Sequence, residues 1–105
     1  MDEFEQKATK ELCESGYIVY NDGILFKCKQ EGHSTKIEII PWIKVRNIIK
    51  YEHLKNTVNV YLWGSEPIEF FMELKPGVDA DNIFNYLMDK FTTALTKQGI
   101  GTYGL

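Results

Sequence analysis

Several features that mark specialised protein classes are scarce in this chain of 105 residues. The two cysteines, Cys13 and Cys28, are too few for a disulfide framework, so a small disulfide-stapled domain is excluded. No apolar run approaches the roughly 20 residues that a membrane-spanning helix needs. The first residues are acidic and lack the apolar core of a signal peptide. A cytoplasmic protein is therefore the expectation, although a domain excised from a longer chain would look the same.

Residues that catalyse reactions or bind metals are also few. The two histidines, His33 and His53, lie in predicted loops and belong to no Ser-His-Asp, His-x-x-x-His or Cys-x-x-Cys arrangement. The glycines near the C-terminus follow a predicted helix, whereas a phosphate-binding loop precedes one. The sequence therefore predicts no catalytic residue, no metal site and no cofactor. A small enzyme whose site is assembled only by folding remains an alternative.

What the chain does contain is a series of short segments of alternating apolar and polar residues, which predicts β-strands in one domain, residues 1–105. A helix over 3–14 precedes them, because Asp2 can cap it and Phe4, Ala8 and Leu12 form an apolar stripe. The predicted strands cover about residues 17–21, 24–30, 36–40, 43–52, 57–63 and 68–74.

After Lys75-Pro76-Gly77 the period of the apolar residues changes from two to 3.6, which predicts a helix over 80–98. Asp79 is a good cap for this helix, and Gly99 is a good end. The apolar residues that share one face of it are Ala80, Ile83, Phe84, Leu87, Met88, Phe91, Ala94 and Leu95.

The strand predicted over 43–52 contains an irregularity. Ile43, Val45, Ile49 and Tyr51 alternate with the polar residues Lys44, Arg46, Lys50 and Glu52. Asn47 and Ile48 break this rule, which predicts a β-bulge or an apolar residue on the outer face.

Three passages resemble the pleckstrin-homology superfold, and in particular its GRAM and bacterial PH-like branches. They are the hairpin Tyr17-Ile18-Val19-Tyr20-Asn21-Asp22-Gly23-Ile24-Leu25-Phe26, the segment Ile39-Ile40-Pro41-Trp42-Ile43-Lys44-Val45-Arg46-Asn47-Ile48, and the terminal helix after Phe70-Phe71-Met72-Glu73-Leu74. The resemblance covers about residues 16–98. It implies an α+β fold in which a strongly bent antiparallel sheet, or partly open barrel, of six or seven strands is capped by the C-terminal helix. The N-terminal helix would be an addition to that fold.

Aromatic residues on the polar side of the last two strands suggest a binding surface. Tyr61 and Trp63 alternate with the apolar side of one strand, and Phe71 lies on the corresponding side of its hairpin partner, where pairing can set it opposite Tyr61. With Ile48 they would form an exposed apolar patch, which often marks a partner site. The alternative is that the apolar stripe of the N-terminal helix covers this patch. We expect a non-enzymatic binding or adaptor module that recognises a protein or a second copy of itself.

A basic strand face offers a second hypothesis. Lys27 and Lys29 on one strand, and Lys44, Arg46 and Lys50 on another, are predicted to point away from the apolar face. Such a surface suits a peripheral membrane module that binds anionic lipid. A nucleic-acid partner is not expected, because the chain as a whole has a net charge of −3.

Overall fold

The computed structural model describes residues 2–29, 35–66 and 68–97, and the side chains at 25–29 and 35–38 lie outside that description. Within it, the fold is α+β, with two helices and two three-stranded antiparallel sheets. The elements are α1 (Glu3–Glu14), β1 (Tyr17–Val19), β2 (Gly23–Lys29), β3 (Thr35–Pro41), a 3₁₀ turn (Trp42–Lys44), β4 (Val45–Ile49), β5 (Thr57–Leu62), β6 (Ile68–Glu73) and α2 (Ala80–Lys97). The ends of the predicted strand at residue 30 and of the predicted helix at residue 98 fall outside the described residues.

The strands form two sheets, in the orders β1-β2-β3 and β4-β5-β6, and not one bent sheet of six or seven strands. The α+β class is thus confirmed, while the single-sheet prediction is only partly matched. The chain turns at the boundary because Pro41 has no backbone N–H for a ladder and residues Trp42–Lys44 form a 3₁₀ turn. The strand predicted over 43–52 is accordingly shorter and begins at Val45.

Helix α1 spans the predicted residues and begins as the sequence indicates. The side chain of Asp2 accepts a hydrogen bond from the backbone N–H of Glu5 at 2.7 Å. This capping bond satisfies one of the N–H groups that lack a partner in the first turn of a helix. Ala8 and Leu12 are buried, whereas Phe4 is partly exposed and meets the ring of Tyr86 edge-on at 6.2 Å.

The predicted hairpin between β1 and β2 is present, with Val19 opposite Ile24. Gly23 does not have a positive φ angle, since in the described chain such angles occur only at Gly16 and Gly77. Gly23 is needed for another reason: a Cβ atom there would collide with the carbonyl group of Ile40 on β3. The sheet therefore requires glycine for close approach of two backbones.

Helix α2 packs against β4, β5, the 3₁₀ turn and α1. Most of the predicted apolar face is buried, and the residues expected to face solvent, such as Asp81 and Asp89, are exposed. Tyr86 is buried as well, because α1 lies beside it. The predicted apolar face of α2 did not include this residue. Neither helix of the described chain is both long and apolar enough to cross a membrane.

Candidate functional site

The outer face of the second sheet is the surface of β4, β5 and β6 that points away from α2. On β5, Val58 and Val60 are buried in the core beneath α2, so Asn59 and Tyr61 point to the other side. The register places Phe71 opposite Asn59 and Glu69 opposite Tyr61. We define the outer face by its central members: Ile49, Tyr51, Asn59, Tyr61, Trp63, Glu69 and Phe71.

A β-bulge in β4 decides which of its residues reach this face. The register shifts between Val45, which is opposite Leu62, and Asn47, which is opposite Tyr61. One extra residue reverses the alternation of side chains beyond it, so both Val45 and Ile48 point into the core. The bulge was predicted as one of two options. The prediction that Ile48 belongs to an exposed patch was wrong, since Ile48 is buried.

The same reversal corrects the prediction for Lys50. It lies on the α2 side of the sheet, where its ammonium group pairs with the carboxylate of Asp81 at 3.0 Å. Only 14% of the Lys50 side chain is exposed. Lys50 therefore does not belong to an outward basic face.

Tyr61 is the centre of a hydrogen-bonded group on the outer face. Its hydroxyl lies 3.1 Å from the hydroxyl of Tyr51, and Glu69 is the residue opposite Tyr61 on β6. The neighbouring carboxylate of Glu69 is the largest influence that raises the pKa of Tyr61 above its ordinary value, because only the neutral phenol can donate a hydrogen bond to it, and Tyr51 adds to the shift.

Two large aromatic side chains on this face are open to solvent. Phe71 is 53% exposed and Trp63 is 60% exposed. The guanidinium carbon of Arg46, the extra residue of the bulge, lies 5.6 Å from the centre of the Trp63 ring, which is a cation–π distance. The residues predicted as contacts thus divide: Trp63 and Phe71 are exposed, whereas Tyr61 is half-buried.

Asn59 lies between Ile49 and Phe71 in the middle of the outer face. It is almost fully buried, and its Oδ1 atom has no hydrogen-bond partner among the described residues.

The register of the last hairpin differs from the predicted one. Phe71 was expected opposite Tyr61, but it lies opposite Asn59, two residues away. The length of the connection between β5 and β6, five residues, could have predicted the correct register, because the length of a hairpin loop fixes which residues are opposite each other. Four members of this face were not predicted from the sequence: Ile49, Tyr51, Asn59 and Glu69.

The N-terminal helix does not cover the outer face. Helix α1 packs against β1 and α2, and its buried residues Ala8 and Leu12 belong to the common core. Its C-terminal end is fastened by a bond from the Lys75 N–H to the Ser15 hydroxyl at 2.9 Å and by the pair Glu14–Lys75. The alternative prediction, that the apolar stripe of the N-terminal helix covers the aromatic patch, is therefore wrong.

Of the remaining residues predicted for an anion site, Lys44 and Arg46 are exposed. The side chains of Lys27 and Lys29 lie outside the described part of the structure. Of the predicted basic face, the described residues that are exposed are Lys44 and Arg46, which lie at the bulge of β4.

A cavity of about 510 Å³ opens at the start of α2, between Lys50 and Lys55 on one side and Asp79 and Asp81 on the other. Its charges are mixed, and Lys50 is already paired. In the described ranges, no three His, Cys, Asp or Glu side chains are grouped so that they could hold a metal ion. Searches against protein-family models, curated proteins and solved structures found no match to this chain.

Proposed function

We propose that this chain is a non-enzymatic binding module of pleckstrin-homology-like fold that recognises a protein through the outer face of its second sheet. The observation on which this depends is that Phe71 and Trp63 remain about half exposed or more, while α1 packs elsewhere. Exposed aromatic residues grouped on one surface are typical of partner sites. The order of elements, six strands in two antiparallel sheets followed by a long helix on the inner side, supports the fold assignment.

The size of the effect can be worked from these two side chains. A Phe or Trp side chain that is half exposed leaves on the order of 100 Å² for a partner to cover. At about 25 cal/mol per Å² this area corresponds to about 2.5 kcal/mol for each side chain, and the cost of ordering the interface lowers the expected contribution to roughly 2 kcal/mol, or about a 30-fold change in affinity. Tyr61 contributes less area, because it is half-buried.

Asn59 gives further support. A buried acceptor without a partner costs about 1–3 kcal/mol, which is tolerated at functional positions more often than elsewhere. Here it lies directly beside the exposed ring of Phe71.

The test compares partners captured by the wild type with those captured by Trp63→Ser and Phe71→Ser. Ile39→Ser is the matched control, because Ile39 is an equally exposed apolar residue on the other sheet. We expect the control to retain a partner that both test variants lose, with a Kd for that purified partner about 30-fold weaker in each. If both variants keep every partner and any self-association, the proposal is wrong.

A second candidate function is binding to an anionic membrane surface. It is favoured by the exposed pair of Lys44 and Arg46 next to the exposed Trp63 ring, since an amphipathic aromatic residue beside cations suits a lipid interface. Vesicles containing phosphatidylserine test it at low and at physiological salt. Binding that shifts Trp63 emission to the blue and disappears with salt supports this candidate, and absence of binding at both salts rejects it.

A further inference from the structure

Strand β6 has one edge that no described strand covers, since the order of the sheet ends with it. The direction of its backbone groups follows from two hydrogen bonds. The N–H of Leu74 donates to the carbonyl of Asn56, the residue just before β5, at 2.8 Å. The N–H of Glu73 donates in the opposite direction, to the hydroxyl of Tyr17 at 3.1 Å.

Because successive residues of a strand direct their backbone groups to opposite sides, the backbone groups of Glu69 and Phe71 also point away from β5. Tyr17 accepts the N–H of Glu73 at one end of this edge. Among the described residues, the outward N–H and C=O groups of Glu69 and Phe71 have no backbone partner, and they have the spacing that an added strand needs.

The charged side chains on the outer face of this edge are negative. On the outer face they read Glu69, Phe71 and Glu73, and both carboxylates are exposed. Exposed edges are commonly protected by lysine, whereas here two acidic residues flank an exposed apolar ring. Glu69 lies opposite Tyr61 in the strand pair.

This pattern selects among occupants of the edge. In an antiparallel pair of two copies centred on Phe71, Glu69 of one copy would face Glu73 of the second copy, and like charges directly opposite are destabilising. A strand with Lys or Arg on either side of an apolar residue would instead place opposite charges across from both carboxylates. The favoured occupant is therefore a basic extended peptide.

We infer that the β6 edge binds a basic peptide segment as an added antiparallel strand, with an apolar residue opposite Phe71 and a Lys or Arg opposite Glu69. This rests on the proposed function, because it names the partner that the outer face receives. The main-chain bonds at Glu69 and Phe71 hold the peptide, the exposed ring of Phe71 packs against its apolar residue, and Glu73 attracts a second cation beyond the end of the ladder.

The probe is a synthetic peptide with the sequence Thr-Lys-Thr-Val-Thr-Lys-Thr. In an extended strand its two lysines and its valine lie on one face, and the threonines lie on the other. Binding is followed by the backbone amide shifts of Glu69 and Phe71 in the nuclear magnetic resonance spectrum. We expect these two amides to shift most, and we expect Glu69→Lys to weaken binding about tenfold. A peptide with glutamate in place of lysine should then prefer the variant. Glu66→Lys, an exposed glutamate in the turn before β6, is the matched control and should retain most of the affinity.

Backbone pairing is tested separately from charge. Methylating the peptide nitrogens that face β6 should abolish binding, whereas methylating the alternate set should not. Phe71→Pro removes the outward N–H, and Phe71→Ser keeps it, so the proline variant should bind more weakly than the serine variant. Circular dichroism of both variants shows whether the fold is retained, and the methylated peptides test the wild-type chain whatever the outcome for proline.

Three results would each overturn this inference. The first is equal binding of the two methylated peptides, the second is an unchanged charge preference in Glu69→Lys, and the third is no binding of the peptide to the wild type. A dimer in sedimentation that Phe71→Pro dissociates would also overturn it, because the edge would then receive a second copy. If the peptide fails while partners still require Trp63 and Phe71, only the edge inference falls. If the peptide binds by these criteria but both Trp63→Ser and Phe71→Ser keep every protein partner, the edge inference stands and the proposed function falls.

Discussion

The substitution Leu12→Ala tests the placement of α1, on which the accessibility of the outer face depends. Leu12 is 1% exposed and belongs to the core shared with α2. Truncating a buried leucine to alanine costs about 2–5 kcal/mol, depending on how far the surroundings collapse into the space. A helix at the margin of the fold can relax more than a central element, so we expect the lower part of this range, about 2–3 kcal/mol. For a domain of this size that lowers the midpoint of thermal unfolding by about 10–20 °C.

Two measurements check this prediction. Urea unfolding followed by circular dichroism gives the free energy of unfolding, and Lys10→Ala, an exposed position on the same helix, should change it by less than about 0.5 kcal/mol. Acrylamide quenching of the native state reports on Trp63, because Trp42 is fully buried and Trp63 is exposed. Quenching should be the same in Leu12→Ala and in the wild type. An increase on truncation would show that α1 shields the outer face, and a cost below about 1 kcal/mol would show that Leu12 is not in the core.

Three further predictions concern single residues. The raised pKa of Tyr61 favours the folded state at pH values below the ordinary tyrosine pKa of 10.0, and this contribution is lost as pH rises towards the folded-state pKa. The urea midpoint of the wild type should therefore fall more steeply above about pH 10 than that of Tyr61→Phe. The substitution Gly23→Ala should cost about 1–3 kcal/mol in urea unfolding, since the added methyl group meets the backbone of β3. The substitution Trp42→Phe removes buried volume and the bond from its indole N–H to the Tyr20 carbonyl at 3.1 Å, and should cost about 1–3 kcal/mol by the same assay.

Each of these predictions has its own control and its own contrary result. Glu69→Gln should flatten the alkaline fall in the same way as Tyr61→Phe, because it removes the charge next to the phenol; parallel slopes in all three proteins would contradict the account of Tyr61. For Gly23→Ala the control is Gly64→Ala, where the nearest atoms lie at 3.2 Å or more, and equal costs at the two positions would contradict the contact with β3. A neutral Trp42→Phe would mean that the indole N–H bond and the lost volume contribute little to the core.

Local patterns were enough to predict the two helices, because their signals lie within the segments themselves. Asp2 caps α1 through a bond to a residue three positions away, and the apolar face of α2 is set by the 3.6-residue period. The alternation of β5 likewise predicted that Val58 and Val60 are buried and that Trp63 is exposed. These statements need no knowledge of which strand is a neighbour.

The candidate site was predictable only in part, because its membership depends on pairing between strands. A single extra residue at the bulge moved Ile48 and Lys50 from the outer side to the core side. The register of the last hairpin then placed Glu69, and not Phe71, opposite Tyr61. No periodicity within one strand contains that information.

The sequence by itself determined the order of helices and strands, the α+β class and the apolar face of each helix, since these follow from spacing along the chain. The tertiary structure alone decided that α1 lies on β1 and α2, that Asn59 is buried beneath the outer face, and that one edge of β6 is left without a described strand. The physical reason is that an apolar stripe requires burial but does not specify its partner. Which of several apolar surfaces receives it depends on the packing of the whole chain.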